Sequence, residues 1–436
     1  MTSPNTCIRL RASLAALLVT LAVPITARAL DSVSEWAALE ARHNSKGPEV
    51  VVRQWLPDAD QYAWNAYGWL EGYLSLAQAT GDSRYMETAK EILDYMLSKR
   101  DDIRFAGQEL DTPYHSAPTE YLYNRGTPAP GWRRRSQYTG NQMQVSVLVD
   151  ARISEIFLRW CEVARKAFPQ YEADVTRYLD HIHETLELHQ GSFREIPSDI
   201  YVGPSIYTPE RPAGGYRYWW HDKEGFPPTS PGARVWSGQT ALNHSAVMAS
   251  AMLRYDQLKG TQGYREKVQL IVNYVLNAFD PAHPDKAIWE YDPVNSRRHD
   301  IEDIGHAAIS LPLLQAAYLD GKFGVTKDHM LRLTKTYLKL FNEETGFPHR
   351  YIDGTEKPDE KPGETYGVRS ATCFYSWLWF SQFDPEVLTK ARRSFEAHFG
   401  DRYSSSYSMG GWANLLYWEQ VRDGKAAIVD SAKRAK

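Results

Sequence analysis

The sequence is short of cysteine. It has three in 436 residues, and Cys7 lies in an N-terminal segment that reads as a cleaved leader. Cys161 and Cys373 remain, both in apolar helical surroundings. That excludes a disulfide scaffold and a thiolate zinc site, and it favours two buried free thiols over one disulfide. A Gly-rich phosphate loop, a Gly-x-Ser-x-Gly elbow and a His-Glu-x-x-His helix are all missing. No apolar run after residue 29 is long enough to span a bilayer. Positive charge is in deficit as well. The 50 Lys and Arg against 54 Asp and Glu give a formal net charge of −4, whereas a nucleic-acid binder needs a basic face.

Residues 1–29 have the three regions of a secretory signal. Arg9 and Arg11 are basic, Leu14 to Ile25 is apolar, and Ala27-Arg28-Ala29 is a small-x-small cleavage site. The expected mature chain starts near Leu30 and is periplasmic or secreted. Removing Arg9, Arg11 and Arg28, with no acid lost, takes the formal charge from −4 to −7. The chain is rich in aromatics, with 14 Trp and 27 Tyr. That exceeds what a core requires and suggests rings lining a sugar or ligand groove.

The periodicity is helical nearly throughout. Ala63 to Gln78 is followed by a stop at Thr80-Gly81-Asp82 and a second helix from Tyr85 to Leu97. The plan returns at Thr240–Leu258 with Tyr264–Leu276, and at Ile304–Leu319 with His329–Phe341. Met143–Ala167 with Tyr171–Leu188 and Ala371–Phe380 with Pro385–Phe399 fit it too, and a last helix begins near Gly411-Trp412. A shift of 179 residues lays Tyr85 on Tyr264, and a shift of 63 lays Tyr274 on Tyr337. Such hairpins cannot bury their faces alone, so they stack or close. The long aromatic connections, 100–138 and 190–239, favour closure. The expected fold is all-α: one (α/α)n toroid of five to seven hairpins over residues 30–420, with a loose tail at 421–436.

Three segments at inner-helix entrances could carry chemistry. In Leu242-Asn243-His244-Ser245, the bland reading is a cluster satisfying free backbone N–H groups. The shift of 63 lays Asn243 on His306, so two hairpins present polar groups at one level. The second segment runs from Trp289-Glu290-Tyr291 through Arg297, Arg298, His299, Asp300, Glu302 and Asp303 to His306. Its acids could simply complement a helix dipole. His299, Asp300, Glu302 and His306 could also ligate a metal, but their spacing matches no established motif. The third segment, Arg135 to Gln142, offers Tyr138, Asn141 and Gln142 to hydroxyls, or else only caps a helix. Arg217, Trp219 and Trp220 in the second long connection suit a substrate wall. Arg133-Arg134-Arg135, Arg211 with Arg217, and Arg297-Arg298-His299 would focus a cationic field on one cleft despite the net charge. His181, His183 and His189 spread over different faces of an outer helix and read as surface.

The hairpin repeat, the leader and Asn243-His244 together resemble the α/α-toroid polysaccharide lyases of the alginate- and glucuronan-lyase type, over roughly residues 35–420. In those lyases an Asn-His pair opens an inner helix, and an Arg and a Tyr follow about fifty residues later. Here Tyr291 precedes Arg298, and Leu242 stands where the family tends to double the Asn. The resemblance implies β-elimination on an acidic polysaccharide, without metal or cofactor. Asn243, His306 and Arg298 would hold the uronate carboxylate. His244 or Tyr291 would take the C5 proton, and Tyr291 could protonate O4. Arg135, Arg297, His299 and Glu302 would support substrate binding. Two rivals remain. One is a toroid glycoside hydrolase pairing Glu302 or Asp303 with Asp111 or Glu120. The other is a non-catalytic glycan-binding protein.

Overall fold

Gly81, Gly260 and Gly321, the stops of the repeat, each close a helix in the left-handed region, with φ of 70°, 69° and 75°. Such a cap favours glycine because it has no Cβ. The structure, a computed structural model, describes residues 59–107, 128–136, 142–196, 211–216, 241–293, 301–361, 371–399 and 406–427. Five hairpins follow one another in it. They are α1 (Tyr67–Thr80) with α2 (Ser83–Leu97), α3 (Val147–Ala167) with α4 (Glu172–Leu188), α5 (Leu242–Lys259) with α6 (Arg265–Asn277), α7 (Ile304–Asp320) with α8 (Lys327–Leu338), and α9 (Tyr375–Leu378) with α10 (Glu386–Phe399). A 3-10 turn, Trp379–Gln382, extends α9, and α11 (Ser406–Arg422) comes last.

The odd-numbered helices form the inner ring. Each packs on the next, and α11 returns onto α1 to close it. Their sequences explain the position. From Leu242 to Asp256 every residue of α5 is buried, as expected of a helix surrounded on all sides. The outer helices are amphipathic: α4 buries Val175, Tyr178, Leu179, Ile182 and Leu186, a single stripe at helical spacing. The closure is tight. A Cβ on Gly410 of α11 would lie 2.3 Å from the Gly68 carbonyl oxygen of α1. Gly410→Ala must therefore push two backbones apart. Overpacking typically costs about 1–3 kcal/mol, so the variant should unfold at lower denaturant in an equilibrium titration.

One face of α3 carries Arg152, Glu155, Arg159 and Glu162, spaced three or four residues apart. The other inner helices neutralise most of it. Arg159 donates to Glu71 at 2.7 Å, the Tyr67 hydroxyl donates to Glu155, and Arg254 donates to Glu162. Buried ions need such partners, because desolvation is otherwise uncompensated.

Several expectations change. Residues 142–145 form a strand rather than the start of α3. β1 (Arg133–Ser136) pairs antiparallel with β2 (Gln142–Val145), Arg133 opposite Val145. A second hairpin pairs β3 (Phe193–Ile196) with β4 (Ala213–Tyr216). Arg133 is buried and gives its Nε to both Asp101 oxygens at 3.0 and 2.9 Å, so it is structural rather than a polyanion contact. Arg211 acts electrostatically on His329 of outer helix α8, and its carbonyl accepts from the Asn277 amide at the end of α6 at 2.8 Å. His189 is not surface: it is buried, and its Nε2 meets Asp150 Oδ2 at 2.8 Å. The aromatic surplus is largely core. Trp132, Trp160, Trp289, Trp377, Trp379, Trp412 and Trp418 are all fully buried. Residues 421–427 are not loose: Val421 and Ala426 pack on the core, and Ala427 accepts the Tyr417 hydroxyl at 3.0 Å. Cys161 and Cys373 are buried free thiols, and burial raises both pKa values.

Candidate active site

The first turns of α5 and α7 lie side by side at one rim of the ring. The chain between them folds back to join them. The Leu242 N–H donates to the Tyr291 carbonyl at 3.2 Å, and the Glu302 N–H to the Trp289 carbonyl at 3.0 Å. Glu290 bridges Ile301, and Trp289 anchors the segment by stacking on Phe279, centroids 5.7 Å apart. The Tyr291 ring thereby meets the His306 ring edge-on at 5.2 Å. Asn243, His244, Tyr291 and His306 share one place. His306 is close enough to His244 to act on its protonation.

Asp303 organises this rim. It is the N-cap of α7, and its Oδ1 accepts the N–H groups of Gly305 and His306, each at 2.9 Å. Its Oδ2 lies 2.6 Å from His306 Nδ1. Burial alone would lower the His306 pKa, but the bond to Asp303 and the nearby carboxyl charges outweigh it and push it up to about 9. The same partners, with the α7 N–H groups, hold Asp303 below the ordinary carboxylate value against the effect of burial. Glu302 is pushed up to about 8, chiefly by burial and then by Asp303, with His306 opposing. Burial, then Arg134 and His306, hold His244 well below the ordinary imidazole value. At neutral pH the rim therefore pairs a charged His306 with a neutral His244.

Two buried side chains here are unsatisfied. Neither amide atom of Asn243 and neither carboxyl oxygen of Glu302 has a hydrogen-bond partner among the described residues, and both residues are fully buried. The Trp289 indole and the Asp303 N–H act on Glu302 without closing a bond of normal geometry. Orphaned buried polar groups are costly and call for an explanation. Glu302, Asp303 and His306 also bring one donor atom each within 4.8 Å of one another. A metal there would have to displace the His306–Asp303 hydrogen bond and the proton that His306 carries.

Arg152, on the second turn of α3, was not singled out by sequence. It is buried, with its guanidinium 3.8 Å from the Tyr67 ring and 5.1 Å from Trp64. Its Nε donates to the Ala63 carbonyl at 3.2 Å. Its charge reaches His306, yet among the described residues no carboxylate forms an ion pair with it. Arg134, paired with Asp60 at 2.8 Å, adds a second positive field.

Of the other expected site residues, Tyr138, Asn141, Arg217, Trp219, Trp220, Arg297, Arg298 and His299 lie outside the described residues. So do Asp111, Glu120 and Asp300, and for Arg135 and Gln142 only the backbone is described.

No family model matches the chain, and no curated protein matches it in sequence. Among solved structures it is similar to a cellobiose 2-epimerase from Bacillus thermoamylovorans, with TM-score 0.49, 10% identity, and 82% of this chain and 87% of that one covered. It is similar to a family 88 glycosyl hydrolase from Bacteroides vulgatus, with TM-score 0.49, 12% identity, and 90% and 99% covered. It is also similar to a polysaccharide lyase, with TM-score 0.46, 13% identity, and 84% and 92% covered.

Proposed function

We propose that the chain is a secreted lyase that cleaves a uronic-acid polymer, such as glucuronan or alginate, by β-elimination. The observation that carries this reading is Arg152. A buried guanidinium held between ring faces, with no carboxylate paired to it among the described residues, is an incomplete ion pair. A uronate carboxylate would complete it in the planar geometry that Arg favours. Asn243 would add its unsatisfied amide, and His306 a second positive charge. Neutralising the carboxylate acidifies C5–H. His244, kept neutral, or an ionised Tyr291 takes that proton. The C4–O4 bond breaks as the C4–C5 double bond forms, and Tyr291 supplies the proton that O4 needs.

The hydrolase alternative requires two carboxyl groups facing a glycosidic bond. Asp303 spends both oxygens on α7 and His306, which leaves Glu302, with both oxygens unbonded, as the described carboxyl group that such a hydrolase would use. The deciding experiment incubates the protein with glucuronan, alginate and neutral glycans and follows ultraviolet absorbance from unsaturated ends. Hydrolysis of neutral glycans alone would reject the lyase reading, and binding without cleavage would make this a glycan-binding protein.

The pH profile follows from the charge states. If the His306 cation holds the carboxylate, kcat/KM falls as pH rises through about 9. If His244 is the base, the acid limb lies below the ordinary imidazole range, because burial and the nearby cations keep His244 neutral. Asp303→Asn keeps a competent N-cap but removes the charge that raises His306. Its alkaline limb should move to lower pH, and an unchanged limb would detach His306 from substrate binding.

A further inference from the structure

The charged cluster between the inner helices sets Arg152, Arg159 and Arg254 against Glu71, Glu155 and Glu162. Two pairs close: Arg159 takes Glu71 at 2.7 Å, and Arg254 takes Glu162. The third pair would be Arg152 with Glu155, three residues apart on one face of α3 and so within reach of each other. It does not form. Among the described residues Glu155 accepts the Tyr67 hydroxyl and lies 3.5 Å from Arg254 Nε. An unpaired buried guanidinium is costly, so something must hold the pair apart.

Tyr67, the first residue of α1, does so with both parts of its side chain. Its ring carries the Arg152 guanidinium at 3.8 Å. Its hydroxyl occupies the carboxylate that would neutralise that guanidinium. Burial, then Glu155 and Glu71, push the hydroxyl pKa well above its ordinary value, so at neutral pH it stays a donor. The π-helical turn Gln61–Ala66 just before Tyr67 fixes Arg152 from another side, its Ala63 carbonyl taking Nε at 3.2 Å. Arg152 and Tyr67 keep 6% and 5% exposure and line one pocket with Ala308 of α7 and Asn414 of α11, whereas Glu155 keeps 1%. Glu71 lines that pocket too, but Arg159 neutralises it. An incoming carboxylate therefore meets the Arg152 guanidinium and not Glu155.

We propose that Tyr67 is a positioning residue: it keeps Glu155 off Arg152, so that the guanidinium stays free for a substrate carboxylate. That the carboxylate belongs to a polyuronate rests on the lyase reading; the separation of Arg152 from Glu155 does not. Tyr67→Phe removes the hydroxyl and keeps the ring under Arg152. In a crystal structure of this variant the guanidinium should turn to Glu155 and come within about 4 Å, the range of an ion pair. On glucuronan, KM should rise about 10–100-fold, the worth of a hydrogen bond between charged groups. Turnover should hardly change, because a substrate that has displaced Glu155 meets the same site. Combining Tyr67→Phe with Glu155→Gln should restore KM, since Gln keeps the volume, cannot neutralise Arg152 and leaves no buried charge without its donor. A Tyr67 that served only the fold would lower the unfolding midpoint and gain nothing in KM from Glu155→Gln. An unmoved Arg152 in the Tyr67→Phe structure, an unchanged KM, or a KM that stays high in the double variant would each overturn the proposal. If the unmodified protein cleaves neither glucuronan nor alginate, the lyase reading falls, and the structure of Tyr67→Phe still decides whether Tyr67 holds the pair apart.

Discussion

Tyr291→Phe should lower turnover on the polyuronate about 10²–10⁴-fold, the range for loss of one general acid or base, while substrate binding survives. The substitution removes only a hydroxyl. The position of Tyr291 is set by its backbone, through the bond from Leu242, and by its ring contact with His306. Phe keeps both, so the fold should be unaffected. A purely packing role predicts normal turnover. Comparison with His244→Ala separates the two candidates for the base. If Tyr291→Phe is active and His244→Ala is dead, His244 takes the C5 proton and O4 is protonated by another group. If both are dead, the two work as a pair, and solvent exchange at C5 identifies the base: the variant that has lost the base no longer washes deuterium into unreacted substrate.

How far the site was legible in sequence depended on what kind of signal carried each residue. The ring was legible because inner helices are apolar on nearly all sides, and because three of them, α1, α5 and α7, end where a left-handed glycine is needed. Asn243 and His306 were legible because equivalent turns of a repeat occupy equivalent positions, so a shift of 63 in sequence became adjacency at one rim. Arg152 was not legible in that way. An arginine within a helix ordinarily reads as a solvated residue, and its burial comes from Trp64, Tyr67 and the neighbouring inner helices. A weaker signal existed: Arg152, Glu155, Arg159 and Glu162 fall on one face of a helix whose other positions up to Ala164 are apolar except for Asp150 and Ser154, which is unusual for a surface. His189 was misread because spacing arguments hold only within a helix. α4 ends at Leu188, and the turn beyond it redirects His189 onto Asp150. β1, Arg-Arg-Arg-Ser, lacks the apolar–polar alternation of a strand, so its arginines read as a rim loop. The aromatic count misled for a volumetric reason: six packed inner helices leave space that large rings fill, and most of the described tryptophans do that.

Arg152→Ala should lower kcat/KM on a polyuronate about 10²–10³-fold, the loss typical of one preorganised group that stabilises developing charge. Arg152→Lys should recover only part of it, since an ammonium keeps the charge but not the planar fork or the stacking on Tyr67. A structural role would also cost activity, because Arg152 lies in the field of Glu71 and contributes to the charge balance around Tyr67. The two roles separate when the substrate is varied with the protein. Methyl esterification of the polymer removes the carboxylate charge that Arg152 is proposed to meet. If the pairing is real, the penalty for Arg152→Ala shrinks on the esterified polymer, and the cycle returns a coupling between guanidinium and carboxylate. If Arg152 serves the fold alone, the penalty is the same on both substrates, and it tracks a lower unfolding midpoint. Equal penalties with an unchanged midpoint would also deny Arg152 the carboxylate and would leave Asn243 and His306 as the groups that hold it.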